Sequence, residues 1–205
     1  GALRQLVNSE LPLRRRATAT LADIGWLLRL TRTNRTDVEL AAQAFDRLAF
    51  TDSVIRLLRP LAEHLSPAEE AAFLKALFHE GFWEEFERRW AAAPGTVTQR
   101  PDLRLYAAAY LVGWGPPETM DQGRRTLDEA VRNPQRMTRA NRVQLRLCAK
   151  ALDVAGYAAG LRRLEEAQAD RLLDHLGYWR LLLKSGRKAE ARALADQLLR
   201  PPETA

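Results

Sequence analysis

The stretch Tyr178-Trp179-Arg180-Leu181-Leu182-Leu183-Lys184-Ser185-Gly186-Arg187-Lys188-Ala189-Glu190-Ala191-Arg192-Ala193-Leu194 decides the fold. Leucine, alanine, arginine and lysine dominate it, and these side chains lose little freedom in a helix. Ser185-Gly186 breaks the run, because glycine takes the left-handed conformation that a helix stop favours. The pattern predicts a helix from a cap at Asp170 to Lys184, a tight turn, and a second helix over Arg187–Leu199, with Pro201-Pro202 closing it. Two helices joined so tightly must fold back on each other. One such hairpin cannot bury its own apolar face, so neighbours must stack against it.

The same punctuation recurs toward the N-terminus. Ser66-Pro67 with Glu69 and Glu70 is a strong helix start, and Gly81 is a natural stop. A helix from Phe82 to about Ala93 follows, and 96–101 reads as a linker. A helix over Asp102–Val112 runs into Gly113-Trp114-Gly115-Pro116-Pro117, which forces a break before a helix over Glu118–Arg132. Thr138 is the expected cap of a helix to Asp153, and Gly156 is the expected turn before a helix to Gln168. Nearer the start, Asp37 is placed to cap a helix whose Val38, Ala41, Ala42, Phe45 and Leu48 share a face. Thr51-Asp52 then caps one carrying Ile55, Leu58 and Leu61, which Pro60 should kink or divide. Leu13, Ala17, Leu21, Ile24 and Leu28 mark one further amphipathic helix in residues 1–36. Turns fall near residues 50, 81, 115, 156 and 186, at intervals of about 31, 34, 41 and 30, which is a repeat of helical hairpins.

The last hairpin resembles the tetratricopeptide repeat. Gly186 occupies that family's turn glycine, Ala191 its small residue five positions on, and Pro201 lies near its closing proline. Hairpin 67–93 is similar through Gly81 and Ala93, with Phe86 in place of the small residue. Hairpin 138–168 is similar through Ala149 and Gly156, with Leu161 in place of it. Hairpin 102–132 carries the Trp-Gly-Pro-Pro insertion, and the first hairpin lacks the glycine. The resemblance implies an all-α, right-handed α-solenoid of about five antiparallel hairpins over 37–200. The N-terminal helical segment 1–36 precedes it and a tail, 201–205, follows. It also implies a concave face that binds protein.

Composition agrees with that class. Ala and Leu make up 67 of 205 residues and Val and Ile only 10, so a sizeable sheet is excluded. The 46% hydrophobic and 28% charged content describes a globular chain, and no apolar run has the length of a membrane span. The net charge is +6, with 28 Arg against 4 Lys. Residues 1–36 hold seven Arg against Glu10 and Asp23, which is +5, so the remaining residues carry 25 basic and 24 acidic side chains, or +1. Nucleic-acid binding by the body is therefore not expected, since phosphate affinity needs clustered charge. The basic leading segment suits contact with an anionic bilayer. A single cysteine excludes an intramolecular disulfide and is compatible with cytoplasm or periplasm. Arginine usage and alanine content suggest a bacterial source. The start at Gly1 rather than Met leads us to expect a longer parent protein.

No constellation for catalysis, metal or cofactor stands out. His64, His79 and His175 are far apart, and Trp83 occupies the place where a zinc helix begun by His79-Glu80 needs its second histidine. Cys148 sits mid-helix between Leu147 and Ala149 and reads as a packing thiol. Gly113-x-Gly115 meets two prolines and cannot open a phosphate-binding helix. Trp83, Phe86 and Trp90, with Phe73 and Phe78, read as core. Asp174 and His175 should point in different directions.

If the hairpins stack as the resemblance implies, projection from the turns puts Lys75, Phe78, Arg146, Lys150, Asp153, Arg180 and Leu183 in the groove. The expected partner is an acidic-to-neutral extended peptide or protein. The family's clamp for a C-terminal carboxylate also uses asparagines, which these positions lack. The leading expectation is a non-enzymatic scaffold. The alternatives are the soluble domain of a membrane-anchored bacterial envelope or assembly protein, and a helical-repeat enzyme or nucleic-acid reader.

Overall fold

A computed structural model describes residues 35–47 and 50–199. The expected basic leading helix, Leu48 and the proline tail lie outside the described residues. Among the described residues the chain is all-helical, with eleven α-helices packed against neighbours, an arrangement compatible with a helical repeat. None of these helices is long and apolar enough to cross a membrane. The chain divides into two compact units, one ending at Leu103 and the other beginning at Arg104.

The first unit holds α1 (Arg35–Arg47), α2 (Thr51–Leu58), α3 (Pro67–Glu80), α4 (Trp83–Ala92) and the short α5 (Gly95–Thr98). Val38, Ala41, Ala42 and Phe45 turn one face of α1 inward, as their spacing requires. Asp37 lies within the first turn described for α1. At Pro60 the α-helix gives way to a 3-10 segment, Arg59–His64, because proline has no N–H for the helical ladder. Neither Thr51 nor Asp52 caps α2; Phe50 precedes it without a side-chain bond, and the Thr51 hydroxyl donates to Glu80 instead. Ser66 and Glu69 close a reciprocal cap at the start of α3. The Glu69 amide donates to the Ser66 hydroxyl at 3.3 Å and the Ser66 amide to Glu69 at 2.7 Å. At its end Gly81 stands at φ 78°, and the Phe82 amide reaches back to Leu77 O at 3.0 Å. α3 packs on α1, α2, α4 and α5. The expected linker 96–101 is a helical turn and a 3-10 turn that bury Val97 and Leu103.

The second unit holds α6 (Arg104–Trp114), α7 (Pro117–Arg132), α8 (Met137–Lys150), α9 (Val154–Glu166), α10 (Leu172–Lys184) and α11 (Lys188–Leu199). Each of α6, α8 and α10 packs against the helix that follows it. In addition α6 packs on α8 and α8 on α10, so the first helices of consecutive hairpins lie side by side. Leu145, Tyr157, Leu164 and Leu181 form a buried core, with Cys148, Ala149, Val154, Ala169 and Tyr178 against it.

Three sequence expectations are corrected here. Gly156 is not the turn but lies in the first turn of α9. The reversal falls at Leu152, φ 55°, and the Asp153 carboxylate caps α9 by accepting the Gly156 amide at 2.8 Å. A side chain that supplies the cap fixes the start of the helix ahead of the glycine. Thr138 lies inside α8, which begins at Met137. Asp170 does not cap α10; Asp174 accepts the Arg171 amide at 3.1 Å from inside the helix, and Asp170 is bonded to His175. By contrast Gly186 turns the final hairpin at φ 75°, as its position in the sequence predicts.

Candidate functional site

The seven projected groove residues meet different fates. In the first unit Phe78 is fully buried, edge-on to Trp83 and Phe86 at ring separations of 5.6 and 5.2 Å. This corrects its assignment to a binding face: α3 has neighbours on several sides, so its last turn faces the core rather than solvent. Phe86 and Trp90 are buried with it, which makes the aromatic cluster a packing core. Lys75 is half-buried between Asp46 and Asp102, 3.4 Å from the latter. Burial pushes the Asp102 carboxyl up. The Arg100 hydrogen bond and the Lys75 charge outweigh that and hold it below its ordinary value. Lys75 is therefore engaged within its own unit.

In the second unit α8 carries Arg139, Arg142, Arg146 and Lys150 at spacings of 3, 4 and 4, which set them on one face of the helix. Two of these cations are consumed locally. Arg142 pairs with the buried Asp174 at 3.2 Å and also donates to Ala169 O, which ties α8 to the start of α10. Lys150 donates to Gly113 O at 3.1 Å and lies 4.6 Å above the Trp114 ring, which itself stacks on Tyr110. Asp153 is exposed and acts as the cap of α9.

Arg146, Arg180 and Leu183 remain available. Arg146 extends from α8 across Gly177 of α10. A Cβ at Gly177 would fall 2.2 Å from the Tyr157 hydroxyl oxygen and 2.8 Å from Arg146 Nη1. Only glycine fits there, and that is what lets the two groups lie against α10. The Tyr157 hydroxyl donates to Asp174 O at 2.9 Å, and burial raises its pKa to about 12. Arg146 makes no hydrogen bond or ion pair among the described residues, and its Nε–H is buried without an acceptor. Arg180 and Leu183 are exposed on α10. Sequence reasoning missed the role of Gly177, whose place mid-helix carries no local signal.

The remaining reactive groups are occupied or dispersed. Burial pushes the Cys148 thiol up to about 11, with the Asp153 charge adding to it, so it is a poor nucleophile. Asp174 and His175 have separate partners: Asp174 faces Arg142, and His175 sits 3.0 Å from Asp170. Among the described residues no three metal-binding side chains converge.

The class these features define is an all-α chain of consecutive helix pairs, with an unpaired guanidinium and an exposed basic and apolar helix face in its second unit. Comparison with known protein families, with curated proteins and with solved structures finds no match to this chain.

Proposed function

We propose that the chain is a non-enzymatic, tetratricopeptide-like scaffold, a right-handed α-solenoid that holds a peptide or protein segment along the first helices of its hairpins. The observation that carries this reading is the side-by-side packing of α6, α8 and α10. Stacked first helices offer a row of side chains that the fold does not need for its own core. Arg146 is the member of that row whose hydrogen-bonding capacity is left open, and an unsatisfied buried N–H favours an incoming acceptor. A peptide carboxylate supplies one, and arginine suits it through its forked donors.

Selection from a random peptide library on the immobilised protein tests the reading. Bound sequences enriched in Asp and Glu are expected, with affinity reduced about tenfold or more by Arg146→Glu or Arg180→Glu. Failure to enrich any peptide, or enrichment of peptides whose affinity ignores both substitutions, rejects it.

A further inference from the structure

α10 carries an apolar row away from its buried side and a second, adjoining row at the edge of its packing against Tyr157. Leu172, Leu176, Trp179 and Leu183, at spacings of 4, 3 and 4, form one apolar row. Leu173, Gly177, Arg180 and Lys184 repeat the same spacings one residue on and form the second. Leu172, Leu173 and Leu183 are 61%, 56% and 40% exposed, and Leu176 and Trp179 are half-buried. The opposite side of the helix, through Asp174, Leu181 and Leu182, is the buried one. A contiguous apolar stripe of this kind on one helix marks an interaction surface.

The charge beside the stripe says what it meets. Arg180 and Lys184 are exposed, and among the described residues neither has an ion pair or hydrogen bond. Arg146 reaches the same row from α8 over Gly177, also unpaired. The one acid in α10, Asp174, is buried against Arg142 and neutralises none of them. Arg180 and Lys184 thus flank the apolar stripe, Arg146 joins their row at Gly177, and no carboxylate of α10 balances them.

We infer that this face docks an acidic amphipathic helix from a partner protein. Its apolar side chains lie on the Leu172–Leu183 row and its carboxylates meet Arg146, Arg180 and Lys184. The inference rests on the scaffold reading above and names the partner and the surface. Charge selects this occupant over a second copy of the chain. An antiparallel copy that sets Leu172 against Leu183 and Leu176 against Trp179 also brings Arg180 and Lys184 of both copies onto one flank of the contact. Those are like charges in a symmetric contact, which disfavour it. The chain's own residues 1–36, at +5, meet the same repulsion.

The test uses the full chain and a capped synthetic peptide of about four helical turns. The peptide carries leucines at the spacings of the α10 row and glutamates along one flank. A second peptide replaces every glutamate by lysine. Binding is followed by fluorescence anisotropy at about 0.1 M and about 0.5 M salt, with circular dichroism melts of each variant. The glutamate peptide is expected to bind saturably and the lysine peptide not to bind. Arg180→Gln and Arg146→Gln should each weaken it by about tenfold, Leu183→Ser should weaken it at least as much, and high salt should weaken it in the unsubstituted chain. Equal binding of the two peptides, no binding of the glutamate peptide, or binding unchanged in Arg180→Gln and Leu183→Ser overturns the inference. So does sedimentation that shows a dimer dispersed by Leu183→Glu, which would give the face to a second copy. If library peptides bind while the α10 substitutions leave their affinity unchanged, this docking face falls and the scaffold reading stands. If the chain binds neither library nor designed peptides, both fall.

Discussion

The two units engage their cations differently. In the first, Arg89 reaches Glu70 at 3.0 Å, donates to Ala62 O and lies over the Phe73 ring; Arg59 bridges to Glu85 and covers Phe82; Arg35 bridges to Glu69 and Lys75 to Asp46. Cations there fasten one helix to another around an aromatic core. In the second, Arg142 does the same with Asp174, but Arg146, Arg180 and Lys184 fasten nothing. Of the six large apolar side chains that stand most exposed among the described residues, five belong to the second unit. The difference separates a region whose named cations bridge its helices from one that leaves Arg146, Arg180 and Lys184 without such a bridge.

The contrast makes its largest demand at paired apolar substitutions. Phe78→Ala removes a fully buried ring and should cost about 3–5 kcal/mol. Leu183→Ala, although it also trims a large apolar side chain, should stay within about 0.5 kcal/mol. Urea denaturation followed by circular dichroism measures both. Comparable losses at the two positions would erase the distinction between core and exposed face.

A smaller effect is expected at the contact that positions Arg146. Gly177→Ala drives a methyl into the Tyr157 hydroxyl and should destabilise the chain by about 1–3 kcal/mol. Tyr157→Phe removes that oxygen, and the ring carbon behind it lies 3.3 Å from the new methyl. The double variant should therefore be more stable than the sum of the two singles predicts, a coupling that a double-mutant cycle reads directly. Additivity would mean that the hydroxyl is not what confines residue 177.

The smallest effect concerns acid. Asp102 has a folded pKa below its ordinary 3.8, so the folded state binds fewer protons than the unfolded one. Its contribution is complete above pH 3.8 and is lost as pH falls through the depressed folded value. The carboxylate is about one-third exposed, so screening keeps the contribution below about 1 kcal/mol. The stability gap between the unsubstituted chain and Asp102→Asn, taken from urea midpoints at neutral pH and near pH 3, should narrow at the acid end. A gap that is constant or wider at low pH contradicts the paired geometry around Lys75.

Much of the secondary structure is legible in the chain because its signals are local. The Ser66–Glu69 cap, the left-handed glycines 81 and 186, the break at Pro60 and the interruption at Gly115-Pro116 act within a few residues, and each falls where expected. The misplaced turn at Gly156 and the misassigned caps at Thr138 and Asp170 share one cause. More than one nearby side chain offers a cap, and the winner is set by which element each one faces. Asp174 is buried against Arg142 and takes the start of α10 from Asp170. The groove projection follows the same division. Arg180 and Leu183 are exposed as projected, whereas Phe78, Lys75 and Lys150 are claimed by partners 5 to 37 residues away in sequence.

Composition and periodicity alone settle that this is an all-helical chain of hairpins, because helix propensity and helix stops are properties of short segments. Only the tertiary arrangement decides which cations are spent and which are left. An ion pair depends on distances between helices, and no spacing along the chain encodes that Asp174 takes Arg142 while Arg146, one turn on, rests over Gly177 with its Nε–H unanswered.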